Sequence, residues 1–136
     1  MTSASRHCIR LKDVTVTPAG LSPAGFRILA AIDHLAQLFL IDMVATSIVR
    51  ASSTVHQRGE AVDISVRDWP EWRVMAVWTT LRSSLGTDFA VLYEVPALPD
   101  QGILRDIAYH NPSATAPHLH IQLRKGFGVW PPHANS

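Results

Sequence analysis

The segment Pro117-His118-Leu119-His120-Ile121, with Leu123 beyond it, constrains the fold more than any other stretch of the chain. Side chains two apart on an extended backbone share a face, so His118 and His120 project together while Leu119, Ile121 and Leu123 take the other side. That alternation predicts a strand lying on an apolar layer, with a pair of imidazoles on its far surface. Pro117 opens the run, where a missing backbone donor does little harm.

A second chemistry-bearing stretch lies well upstream, in Thr54-Val55-His56-Gln57-Arg58-Gly59-Glu60-Ala61-Val62-Asp63-Ile64. Gly59 and the β-rich residues Ala61 to Val66 argue against a continuous helix here. The segment reads instead as a turn over Arg58-Gly59, where glycine tolerates a positive φ or a close approach. A strand follows, with Ala61 and Asp63 on one side and Val62 and Ile64 on the other. An imidazole, a carboxylate and a distant imidazole are what an open catalytic zinc site requires. His56, Asp63 and one of the pair His118 and His120 would supply three ligands and leave a fourth position for water. Zinc lowers the pKa of that water to about 7, so hydroxide is available at neutral pH.

The rest of the chain bounds this reading. Its 136 residues suit one domain, taken as 1–136 with a core from about 9 to 123. Hydrophobic residues at 47% and charged residues at 17% are a folded protein's balance. A formal charge of +1, with the basic residues scattered, gives no electrostatic reason to bind nucleic acid. Cys8 is the single cysteine, so no internal disulfide is expected. The N-terminal residues lack the apolar core of a signal peptide, and the stretch from Leu35 to Val49 is interrupted by Asp42 and too short for a membrane span.

Residues 9 to 17 alternate as a short strand. Ser22 and Pro23 then suit the start of a helix whose apolar spacing, from Phe26 to Ile41, buries one face. Met43 to Arg50 reads as a strand and Ala51 to Gln57 as a loop. Asp68 is the expected cap of a second helix, with Glu71 as its reciprocal partner, ending at Gly86. Trp69, Trp72 and Trp78 at helical spacing read as packing rather than a sugar platform. Phe89 to Val95 is a strand, Gln101 to Tyr109 a short helix or turn, and 111 to 117 a loop. Residues 127 to 132 read as a segment packed once on the body before a tail. The element order predicts an α+β fold: helices on one face of a mostly antiparallel sheet, zinc site on the other face.

These residues resemble the D-Ala-D-Ala metallopeptidase, lysostaphin-type and hedgehog superfamily, nearest its peptidoglycan carboxypeptidase and endopeptidase branch. The signature Ser-x-His followed by Gly-x-Ala-x-Asp stands here as Ser53 or Thr54 near His56, then Gly59-Glu60-Ala61-Val62-Asp63. The likeness spans roughly residues 22 to 123, with only the His/Asp and HxH elements specific. It implies that His56, Asp63 and His120 bind zinc, that His118 is a catalytic or orienting imidazole, and that Arg50 stabilises the charged transition state. Glu94 stands either as a carboxylate substitute for the general base or as an outer partner of this set, and Ser53 as a further outer partner. The Glu of the family's Glu-x-x-His pattern is absent, since Pro117 and Thr115 occupy those places; the HxH variant fits better. His110 reads as an exposed, idle histidine.

The resemblance implies a zinc peptidase acting on peptidoglycan stem peptides or cross-links, endolysin-like, made in the cytoplasm and reaching the cell wall by phage lysis or in a virion. The competing readings are a non-catalytic metal-binding domain and a virion-structural domain of the same fold.

Overall fold

The structure is a computed structural model and describes residues 8–11, 21–48 and 60–124. The expectations placed on Arg50, Ser53, His56, Gly59, the 51–57 loop, the far end of the first strand and the 127–132 segment lie outside these residues.

Local chemistry sets the helices. In α1, Pro23–Phe39, the Ser22 hydroxyl accepts the Gly25 N–H at 3.1 Å and Pro23 fills the first turn. Its buried residues Gly25, Ile28, Ile32, Leu35 and Ala36 form one stripe. Leu40 ends the helix in the left-handed region at φ 57, donating its N–H to the carbonyls of Ala36 and Gln37. The second helix, α2, Glu71–Leu85, buries Val74, Val77, Leu81 and Leu85 and stops at Gly86, whose φ of 78 suits a residue without Cβ. The expected cap at Asp68 does not form: Pro70 is the N-cap, with no side-chain hydrogen bond, and Asp68 itself sits at φ 66. Glu71 in the first turn and Arg82 in the last complement the helix dipole instead.

The strands are β1 (Ile9–Leu11), β2 (Met43–Ser47), β3 (Ala61–Ser65), β4 (Phe89–Val95), β5 (Ala108–His110) and β6 (His118–Leu123), with a short helix α3, Ile103–Ile107, between β4 and β5. They form a six-stranded sheet in the order β1-β2-β3-β6-β4-β5. The adjacent central strands β2, β3, β6 and β4 pair antiparallel with one another, whereas β1 with β2 and β4 with β5 are parallel pairs. Each parallel pair is joined through a helix, α1 or α3, because parallel neighbours need a crossover rather than a hairpin. The expected fold class is corrected accordingly: the protein is a mixed α/β fold on a mixed sheet, and the described residues carry no zinc site.

The core lies between the long helices and one sheet face. Val62 and Ile64 of β3, Leu119 and Ile121 of β6 and Val91 and Tyr93 of β4 meet Ile28, Ile32, Val74 and Leu81. Trp69 and Trp78 pack against its edge, and the Trp78 indole donates to the Val91 carbonyl at 3.1 Å. Trp72 differs from its neighbours, being 61% exposed with Arg73 stacked 5.6 Å from its ring centre.

Candidate functional site

Strand parity carries the polar residues to the sheet face opposite the helices. With Leu119 and Ile121 committed to the core, His118, His120 and Gln122 project the other way. Register then selects their partners: His120 lies opposite Asp63 on β3, and His118 opposite Glu94 on β4. Directly opposed strand residues are close enough for side chains to touch, and both pairs do.

His120 Nδ1–H donates to Asp63 Oδ1 at 2.7 Å, and Nε2–H to Gln122 Oε1, also at 2.7 Å. The Gln122 amide donates from its nitrogen to the Leu123 carbonyl at 3.4 Å, which turns its oxygen toward the ring. Asp63 and His120 are buried, at 6% and 8% exposure. His118 is held in the same manner. Its Nε2–H donates to Glu94 Oε1 at 2.9 Å and its Nδ1–H to the Ala116 carbonyl at 3.0 Å, while Asn111 donates to the same Glu94 oxygen at 3.2 Å. An imidazole with acceptor oxygens at both ring nitrogens is matched as the doubly protonated cation.

Energetics agree with that geometry. Burial opposes charge on His118, but the hydrogen bond to Glu94, the nearby Asp63 carboxylate and the Ala116 carbonyl outweigh it and raise its pKa. Burial likewise opposes charge on His120, and the bond and charge of Asp63, with Gln122, overcome it and raise the pKa. For Glu94, burial favours the neutral acid, yet the His118 hydrogen bond, the His120 charge and Asn111 hold the pKa below its ordinary value.

A pH dependence of folding follows from these directions. The histidine contributions are fully present below the unfolded value of 6.5 and are lost as pH rises through the raised folded values. The Glu94 contribution is present above its unfolded value of 4.5 and is lost as pH falls through the lowered folded one. Urea unfolding free energies measured across pH are therefore expected to be greatest between those limits and to fall on both sides. A profile that keeps rising into alkaline solution would remove the charged-pair assignment.

The donors that a zinc ion would need are thus spent on one another. In this arrangement both ring nitrogens of each imidazole face an acceptor oxygen of the protein. Among the described residues, no group of three or more His, Cys, Asp or Glu side chains is placed to hold a metal ion. The expected zinc cofactor is corrected on that finding. With it go the zinc peptidase activity, the endolysin-like cleavage of peptidoglycan and the non-catalytic metal-binding alternative. Of the candidate residues, the structure brings together Asp63 with His120 and Glu94 with His118. His110 is exposed, with Nε2 3.1 Å from the Pro96 carbonyl.

Beside His118 a cavity of about 360 Å³ opens between β2, β3 and the 115–118 segment. Its polar lining residues are Thr46, Ser65, Thr115, Arg67 and His118. Val44, Ala116 and Pro117 complete it. Thr46 lies where the β2–β3 register shifts between Ala45 and Ser47, an irregularity of the kind that re-aims a side chain. Sequence reasoning missed Gln122, Arg67 and the cavity hydroxyls. Only Gln122 carried a signal, as the next same-face position after His120.

Compared with known protein families, curated proteins and solved structures, the chain matches none. The resemblance to the D-Ala-D-Ala metallopeptidase superfamily is corrected on this result together with the missing metal cluster.

Proposed function

We propose that this chain is a ligand-binding domain whose cavity beside His118 takes a small anionic ligand. The observation that carries this reading is the composition of the wall: Arg67 together with the hydroxyl-bearing residues Thr46, Ser65 and Thr115, with no carboxylate among the described lining residues. Such a wall supplies a positive charge and hydroxyl-bearing side chains to one cavity. A volume of about 360 Å³ falls within the range of small-molecule sites.

The paired histidines support binding rather than proton transfer. A general base must present a free nitrogen to its substrate, and the His118 nitrogens face Glu94 and Ala116. The bonds to Glu94 and Ala116 instead hold His118 in place as part of the cavity wall. The stem peptide of peptidoglycan, which ends in a carboxylate, belongs to the anionic class and is one ligand to test for binding.

Isothermal titration of the full chain with small carboxylates and with inorganic phosphate tests the reading. Saturable binding of at least one anion is expected. Thr115→Trp, which places a bulky ring at the exposed mouth of the cavity, is expected to abolish that binding while leaving the urea midpoint close to that of the parent chain. Failure of every anion to bind, or undiminished binding by the Trp variant, would sink the proposal.

A further inference from the structure

We infer that the ligand of this cavity is a monoanionic carboxylate with an apolar portion, held by the Arg67 guanidinium. This deepens the anion-binding reading and rests on it. The first argument is a charge count. Glu94 lies 2.9 Å from His118 and Asp63 2.7 Å from His120, so the imidazolium charges of β6 are each matched by a carboxylate on a neighbouring strand. Arg67 is then the one cation of the described wall whose charge no described carboxylate offsets. A single unmatched positive charge suits a monoanion. A phosphate dianion would leave about one negative charge uncompensated in a partly enclosed site, which low-dielectric surroundings penalise.

Geometry adds a second argument. Guanidinium is a planar fork of N–H donors that matches the two oxygens of a carboxylate. The backbone around Arg67 is tied down on both sides: its own N–H donates to Ser65 Oγ at 3.3 Å, and the Val66 N–H donates to the Pro117 carbonyl at 3.4 Å. The root of the side chain is therefore positioned before a ligand arrives. Thr46 and Thr115 offer hydroxyls to the remaining carboxylate lone pairs. The third argument is size and lining. The cavity exceeds what a carboxylate group alone would fill, and Val44, Ala116 and Pro117 give the rest of the ligand an apolar wall.

The test titrates the full chain with acetate, butyrate, hexanoate, hexanamide and inorganic phosphate at neutral pH. Affinity is expected to rise from acetate to hexanoate, with hexanamide and phosphate each weaker than hexanoate. Arg67→Gln is expected to weaken hexanoate binding about tenfold or more, the weight of a charge-assisted hydrogen bond. Arg67→Lys should recover only part of that loss, because a point charge lacks the fork. If phosphate binds more tightly than hexanoate, or if Arg67→Gln binds hexanoate as the parent does, this inference is overturned while anion binding stands. If no probe binds at all, the anion-binding reading itself fails and takes this one with it.

Discussion

Replacing Asp63 by alanine is expected to lower the unfolding free energy by about 3–5 kcal/mol, as breaking a buried ion pair from one side does. The substitution removes the acceptor 2.7 Å from His120 Nδ1 and leaves that imidazole, itself 8% exposed, without the carboxylate that favours its charge. The ring then either stays charged without that carboxylate or gives up its proton, and both outcomes cost free energy. Little of the loss is the net value of the pair, because bringing both charges out of water was itself expensive. The double change Asp63→Leu with His120→Leu is therefore expected to regain most of the stability lost in Asp63→Ala. Gln122 Oε1 loses its partner in the double variant, which retains a penalty of about 1–3 kcal/mol. Urea unfolding of the parent, single and double variants measures all three. A single-variant loss below about 1 kcal/mol, the scale of an exposed pair, would place Asp63 outside any buried network.

The same pair shows what the sequence could and could not disclose. Period-2 alternation in His118-Leu119-His120-Ile121 made the strand and its two faces legible, since side-chain direction on an extended backbone is a local property. Asp63 and His120 were also brought together by the sequence reading, but as two ligands of one zinc ion. What joins them was not legible. Residue types and spacing are the same for a histidine that coordinates a metal and one that donates to a carboxylate. The difference lies in where both ring nitrogens point, and here Gln122 and Ala116 decide it from positions that carry no metal-site signal.

Elsewhere the boundary falls in the same place. Ser22, Pro23 and Gly86 announced helix ends through capping and backbone chemistry that acts within a few residues. Asp68 announced one too, and failed, because the chain there turns through a positive φ and hands the cap position to Pro70. Of the two parallel edge pairs, β1 showed its alternation in the sequence, whereas β5 has three residues, too few for a periodicity to show. Their direction is a consequence of the crossovers through α1 and α3, a tertiary choice. Arg67 and the cavity hydroxyls come together only once β2, β3 and the 115–118 segment are assembled.

Ile121→Ala is expected to destabilise the fold by about 2–5 kcal/mol, the range for truncating a fully buried aliphatic side chain. Ile121 is 0% exposed and lies in β6, with Val62 opposite it on β3 and Val91 on β4. Strands pair on both sides, so the backbone has little freedom to collapse into the space left by three carbons, and the cost belongs in the upper part of that range. Leu123→Ala, at the half-buried end of the same strand, should lose less, and Ile121→Val only about 0.5–1.5 kcal/mol. The comparison reaches beyond packing. Ile121 and His120 are adjacent, so a slip of one residue would exchange their faces. If the Ile121→Ala loss, read by urea unfolding, stays within about 0.5 kcal/mol, the scale of a surface substitution, β6 has the opposite parity and the histidines point into the core. Neither the charged pairs nor the cavity beside them would then exist on the face opposite the helices.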